Sequence, residues 1–347
     1  MYFKRKELEK FRSFKGPLID VRSPSEYYKG HMPNSINIPL FDNDERSIIG
    51  TIYKKEGRKK AVIAGLKFFE KKMDRLLDNL FANIDSHEII NKQTNNKSFI
   101  RIYCSRGGMR SQSISWLLDK YKFNPITLNG GYKKYRRWVL DCFSKKLNII
   151  LIGGRTGTGK TRLLSLLEKY KYQTIDLEGF ACHRGSTFGG LGMKEQPSNE
   201  QFENKIADKL YSFKTMNYIF VEAESANIGK CKIPHEFFNQ MKTSRRIEIL
   251  RSESNRLDEL IGTYSVFKKE ELEESVLRIK KRLGPQRTKI ALESINNEKW
   301  DLVCRSVLDY YDRCYEYEKV GKENITLLDL TDKKYDEKIL ELINNVL

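Results

Sequence analysis

The chain reads as an α/β protein built from two parallel-sheet domains, the second closing in a helical region. Three observations predict this. Short apolar runs alternate with stretches of helical spacing along most of its 347 residues. A glycine-rich loop sits between an apolar run and a helical stretch twice, at 104–111 and at 153–161. The length suffices for two full hydrophobic cores. The division falls between Cys142 and Leu147, giving domains 1–143 and 144–347.

In chain order, Leu18–Val21 and Phe99–Tyr103 are short apolar runs followed by charged or loop segments, which predicts strands. Between them, Glu45–Asn83 has helical spacing, with Leu66, Phe69, Met73, Leu76, Leu77 and Leu80 as its apolar positions. The polar run Asn91–Lys97 reads as a mobile surface loop. In the second half, Leu147–Ile152, Gln173–Leu177, Tyr218–Glu222, Ile247–Leu250 and Ile325–Leu330 read as buried strands separated by helices. Residues 254–319 are mostly helical. Leu272, Val276, Ile279 and Leu283 share one face of a helix that Gly284-Pro285 should end.

Hydrophobic residues at 39% and charged residues at 32% exclude a disordered chain. No apolar run reaches the ~18–20 residues of a membrane span, and the N-terminus lacks a secretory h-region. A cytoplasmic location is expected, with no membrane partner. Lys and Arg number 64 against 46 Asp and Glu, a formal charge of +18. Such an excess suits a polyanionic partner, nucleic acid first, although a lysine-rich composition alone could produce it. Six scattered cysteines without a C-x-x-C pair, with only four histidines, argue against a zinc site or a disulfide framework, so no bound metal is expected of them.

One cysteine has a setting that suggests chemistry. In Ile102-Tyr103-Cys104-Ser105-Arg106-Gly107-Gly108-Met109-Arg110-Ser111, a strand ends at Tyr103 and a helix starts near Ser111, with Ile114, Leu117, Leu118 and Tyr121 on one face. A loop of this kind turns its N–H groups toward a common centre, and the following helix adds its positive end. Cys104 at its mouth is placed as a nucleophile. Arg106 and Arg110 are expected to hold the charge of a bound anion. The bland alternative is a glycine turn beside a buried thiol.

The second loop, Gly154-Arg155-Thr156-Gly157-Thr158-Gly159-Lys160-Thr161, fits G-x-x-x-x-G-K-[ST], between the run Asn148–Ile152 and a helical stretch. Gly154, Gly157 and Gly159 let backbone N–H groups face phosphate oxygens, Lys160 reaches the terminal phosphate, and Thr161 can ligate Mg²⁺. The strand Tyr218–Glu222 ends in an acid, as a Walker B strand does, with Glu in place of the usual Asp. These features imply a phosphorylated ligand without implying ATP hydrolysis. His183 and Arg184 follow the second strand of this domain, where open α/β sheets place ligands, and either can meet a diphosphate or RNA.

Asp20-Val21-Arg22-Ser23-Pro24-Ser25-Glu26-Tyr27, followed by Gly30-His31-Met32-Pro33, resembles the N-terminal signature of rhodanese domains. In that family this segment is scaffold, so Asp20 and His31 are expected to be structural. The C-x5-R interval from Cys104 to Arg110 is one residue longer than the usual rhodanese sulfurtransferase loop, and resembles the dual-specificity phosphatase loops. A rhodanese-like domain followed by a P-loop domain resembles the tRNA 2-selenouridine synthase family over nearly the whole chain. Tyr103–Ser111, Gly130–Lys133, Gly154–Leu164, Asp176–Gly179, His183–Gly189 and Gln196–Ser198 carry the likeness. The resemblance implies a transferase acting on 2-thiouridine at the wobble position of tRNAs for Lys, Glu and Gln. It implies selenophosphate as selenium donor, selenophosphate synthetase as a partner, and geranyl diphosphate as co-substrate for an S-geranylated intermediate, with no need for ATP. An apolar groove for the geranyl group is expected near Phe180, Phe188 and Leu191.

In Gly131–Trp138, Lys133, Lys134, Arg136 and Arg137 alternate with aromatics. The cations are expected to meet RNA phosphates, and Tyr132, Tyr135 and Trp138 to face the core. Two other readings compete: an RNA sulfurtransferase or phosphatase-like enzyme with a nucleotide-regulated P-loop domain, and a non-catalytic RNA-binding protein. The matched segments after Asp176 disfavour the first, and the intact Cys104 loop disfavours the second.

Overall fold

A computed structural model describes residues 4–91, 99–186, 188–213, 217–317 and 324–331. Residues 92–97 of the polar run lie outside them. The chain divides into two compact units, Met1–Cys142 and Phe143–Leu347.

In the first unit the order is β1 (Arg5–Lys6), α1 (Leu8–Ser13), β2 (Leu18–Asp20), α2 (Pro24–Lys29), β3 (Ile36–Asn37), α3 (Asn43–Glu56), α4 (Arg58–Lys71), α5 (Met73–Asn91), β4 (Ile100–Tyr103), α6 (Met109–Lys120), β5 (Pro125–Leu128) and α7 (Gly131–Phe143). The five strands form one parallel sheet in the order β1-β5-β4-β2-β3. β4 is central, so its C-terminal end delivers Cys104 to the middle of the sheet edge. Ile19, Ile102, Ile114 and Leu118, all completely buried, belong to the core that fixes it there. The helical stretch between the strands is three helices. Its Leu76 and Leu80 are buried as expected, whereas Leu66 is 60% exposed on α4.

The second unit runs β6 (Ile149–Gly154), α8 (Lys160–Lys169), β7 (Gln173–Ile175), α9 (Leu177–Ala181), α10 (Asn199–Tyr211), β8 (Ile219–Glu222), β9 (Asn227–Ile228), β10 (Cys231–Lys232), α11 (His235–Lys242), β11 (Arg245–Leu250), α12 (Glu253–Tyr264), α13 (Lys269–Arg278), α14 (Lys280–Leu283), α15 (Pro285–Asn296), α16 (Trp300–Tyr317) and β12 (Ile325–Asp329). Its main sheet is parallel in the order β12-β11-β6-β8-β7. β6 is central, and every residue of Ile149–Gly154 is buried, the pattern of a strand covered on both faces. The face Leu272–Leu283 is buried as expected, yet the helix breaks at Ile279. There the backbone turns to φ −102° and ψ 5°, so two short helices share the face. Gly284 ends the second, and Pro285 opens α15 at its first turn, where a missing N–H costs nothing.

Candidate active site

Cys104 leaves β4 into a loop closed from behind by the start of α7. The Tyr132 and Lys133 N–H groups donate to the Cys104 and Ser105 carbonyls, each at 2.9 Å. Gly131 makes this approach feasible: its φ is 57°, and a Cβ there would lie 2.2 Å from the Cys104 oxygen. Gly131→Ala should therefore destabilise the first unit by about 2–4 kcal/mol, visible as a lower unfolding transition. An unchanged transition would show that the loop yields freely.

The Cys104 thiol is only 3% exposed, with Sγ 3.3 Å from Ser111 Oγ. Ser111 Oγ in turn donates to the Gly108 carbonyl at 3.1 Å. Arg106 is exposed on the loop. The structure revises the role expected of Arg110. Its guanidinium is committed within the unit, Nη1 donating to Glu26 Oε2 at 2.7 Å and Nη2 to Ser105 Oγ at 2.8 Å. Ser105 Oγ donates to the other Glu26 oxygen at 2.7 Å. Burial would raise the Glu26 carboxyl, but Arg110, Ser105 and the Ser23 N–H together hold it down to about 2. Arg110 thus braces the loop through a carboxylate, while Arg106 stays exposed.

Asp20 and His31 are structural here. Asp20 holds Arg22 in a buried pair at 2.6 Å, and that guanidinium stacks 3.7 Å from the Tyr132 ring. His31 stacks on Tyr27 at 3.8 Å. On α7, Tyr132 and Tyr135 are buried and Trp138 lies under Arg12 at 4.5 Å, so the aromatics face the core. Lys133 and Arg137 are exposed, Arg136 is partly so, and Lys134 pairs with Glu7.

In the second unit, Gly154 ends β6, and Gly157 and Gly159 lie in the loop that α8 follows, with Gly159 at its N-cap. Lys160 Nζ donates to the Gly154 carbonyl at 3.2 Å, and Thr161 Oγ1 donates to Glu222 Oε1 at 2.9 Å. The helical region braces this loop from outside. The Gly154 N–H donates to Tyr315 Oη at 2.7 Å, and Arg256 Nε donates to the Thr156 carbonyl at 2.8 Å. Arg256 is itself held by both Asp312 oxygens, at 2.5 and 3.0 Å.

Acids gather beside Lys160. Glu222 is fully buried and its Oε2 accepts from the Glu178 N–H at 3.3 Å. Burial, then the charges of Glu178, Asp176 and Glu224, push the Glu222 carboxyl well up. Glu178 is raised by burial and by Glu224, against the pull of Lys160. The His183 N–H donates to the Glu178 carbonyl at 3.0 Å, and Arg184 Nη1 donates to the Leu191 carbonyl at 2.8 Å. Burial lowers the His183 imidazole, and its Nδ1 has no hydrogen-bond partner among the described residues. His183 and Arg184 thus follow α9, and these contacts are with Glu178 and Leu191 rather than with the phosphate loop.

A small, open-sided apolar pocket adjoins the loop at Thr156, lined further by Phe188, Leu260, Tyr264, Leu272 and Leu308. Of the three residues expected at an apolar groove, Phe188 lines it, while Phe180 and Leu191 do not. Sequence reasoning missed Glu26, Ser111, Arg256, Asp312 and Tyr315. Only Glu26 had a local signal, the Ser23-x-x-Glu26 capping box at the start of α2.

The molecule is thus a fusion of a rhodanese-type cysteine-loop unit with a phosphate-loop α/β unit. Residues 4–137 match the family model of the rhodanese-like domain, and residues 147–344 that of the tRNA 2-selenouridine synthase AAA domain. The chain belongs to the tRNA 2-selenouridine synthase family. A tRNA 2-selenouridine synthase of Nitrosomonas eutropha is 37% identical over 266 residues, 72% of this chain and 63% of that protein. One of Sulfurovum sp. is 32% identical over 87% of this chain and 88% of its own length, and one of Shewanella denitrificans 30% identical over 90% of each. The matched part thus spans under two thirds of the Nitrosomonas protein and nine tenths of the Shewanella one. No helix among the described residues is long and apolar enough to cross a membrane.

Proposed function

We propose that this chain is an enzyme that converts 2-thiouridine at the tRNA wobble position to 2-selenouridine. Its substrates are tRNAs for Lys, Glu and Gln, geranyl diphosphate and selenophosphate. The observation that carries this reading is the apolar cavity set against the phosphate loop at Thr156. A nucleotide needs polar contacts to its base, whereas this apolar lining suits a hydrocarbon chain attached to a diphosphate. In the first step the 2-thio sulfur attacks the geranyl carbon bearing oxygen, and that C–O bond breaks with the electron pair leaving on diphosphate. Loop N–H groups and Lys160 take up that charge. In the second, selenium from selenophosphate replaces the geranylthiol at the base, and hydrolysis of the P–Se bond releases phosphate. The Cys104 loop serves this half. Neither step consumes ATP.

The residues present fit a Mg²⁺ ion beside the diphosphate. Thr161 and Glu222 stand together at the loop, and Glu222 is a buried acid that a cation would help to ionise. Mg²⁺ usually takes one or two carboxylates and completes its shell with phosphate and water. When bound it would neutralise the departing diphosphate.

Incubating 2-thiouridine tRNA with the protein, geranyl diphosphate and selenophosphate should yield 2-selenouridine by mass spectrometry of the wobble nucleoside. Unchanged 2-thiouridine would refute the reading. Affinity for tRNA should also fall steeply with salt, because Lys and Arg neutralise phosphates. A nearly salt-independent affinity would point away from RNA.

A further inference from the structure

We infer that the exposed turn between α3 and α4, Tyr53–Lys60, is a docking surface for the phosphate backbone of the RNA that presents its uridine to Cys104. This rests on the proposed action on tRNA and adds where the RNA lies on the first unit.

Positions 54–60 carry five cations, Lys54, Lys55, Arg58, Lys59 and Lys60, against one carboxylate, Glu56. All are exposed. Glu56 pairs with Lys60 at 2.8 Å, a surface contact of small worth. Lys54 and Lys55 lie in the last turn of α3, where cations suit the helix dipole, but the other three do not serve the fold in this way. Arg58, Lys59 and Lys60 occupy the first turn of α4, which holds no acid, and cations at that end oppose the helix dipole. Like charges crowded on one turn repel each other as well. A polyanion laid across the turn reverses the sign of both effects.

The turn is also anchored beside the cysteine loop. An Arg58 guanidinium nitrogen lies 3.9 Å from Met109 Sδ, and Met109 is the first residue of α6. At the foot of the hairpin, Lys72 pairs with Glu45 and Asp42. On the opposite flank, the Lys133 N–H holds the Ser105 carbonyl, so the cations of α7 border the same loop. The Cys104 loop is thus bordered by basic segments at both its start and its end. Tyr53, 58% exposed, adds a ring on which an unpaired base can stack.

The test is tRNA binding by the full chain, followed by fluorescence anisotropy across a salt series. The variant Lys55→Glu/Lys59→Glu is compared with Lys120→Glu/Lys122→Glu, which changes net charge equally. Lys120 ends α6, about 16 Å along that helix from Met109, and Lys122 follows its C-cap; both are exposed. The turn variant should weaken binding by about tenfold or more and lower the log–log salt slope by about 1.5–2, the share of two phosphate contacts. The control should stay within about threefold of wild type, the part due to net charge alone. Equal effects of both pairs, or no effect of either, would overturn the assignment while wild-type binding still supported an RNA substrate. A wild-type chain that bound an acidic protein but no tRNA would overturn the RNA reading itself.

Discussion

Cys104→Ala should abolish selenium transfer to geranylated tRNA, leaving geranylation, tRNA affinity and the fold near their wild-type values. The thiol is buried at the centre of a parallel sheet's C-terminal edge. The loop around it is held by contacts that do not involve Sγ: two α7 N–H groups on its carbonyls and the Arg110–Glu26–Ser105 network. Removing one sulfur from that frame costs on the order of 1 kcal/mol, far from enough to unfold the unit. A nucleophile or charge holder at this position has no substitute among the neighbours, since Ser111 Oγ is the near polar group and is spent on Gly108. Selenation should therefore fall by three or more orders of magnitude, on the order of the loss seen when a catalytic nucleophile is removed. The readouts are wobble nucleosides by mass spectrometry and the unfolding transition. Full selenation by the alanine variant would take Cys104 out of the mechanism.

The two loops were legible in the sequence because each is a contiguous run whose chemistry is local: glycines, a cysteine or lysine, and a flanking strand and helix. The groups that brace them were not. Glu26 meets Arg110 from 84 residues away, and Tyr315 meets the Gly154 N–H from 161. No spacing rule reaches across such distances. Arg110 shows the consequence, since local reasoning gives an arginine to the anion and the fold gives it to a carboxylate. Strands buried on both faces, such as Ile149–Gly154, stood out as apolar runs. By contrast β1 and β3 are two residues each, Arg5–Lys6 and Ile36–Asn37, too short to leave a pattern. β5 begins at Pro125, a turn signal in isolation, and its pairing with β4 on one side and β1 on the other makes it a strand. Leu66 fits helical spacing but lies on the outer side of α4, because spacing marks a face without saying whether another element covers it.

Lys160→Ala should block geranylation of 2-thiouridine and spare selenation of tRNA supplied already geranylated. Lys160 sits at the start of α8, and its ammonium donates to the Gly154 carbonyl at 3.2 Å, so it is free to turn to a phosphate held by the loop N–H groups. Charge builds on the diphosphate as its bond to carbon breaks, so a lysine there acts mainly in the transition state. Removing one such group slows a step by about 10²–10³-fold. The substitution has a second effect that must be kept apart. Lys160 opposes the raised carboxyls of Glu178 and Glu222, so without it they rise further and ionise less readily. Groups held above their unfolded values stabilise the fold at low pH, and that stability drains away as pH rises through the raised values. Unfolding of the variant should accordingly be compared with wild type at the pH of the assay. A phosphate loop that merely stabilised its domain through a bound nucleotide would lose both steps together, in proportion to the lost fold. A folded Lys160→Ala protein that geranylated at the wild-type rate would sink the assignment of the diphosphate to Gly154–Thr161. The expected pattern is instead the converse of the Cys104→Ala phenotype: unmodified 2-thiouridine accumulates in the lysine variant, and S-geranyl-2-thiouridine in the cysteine variant.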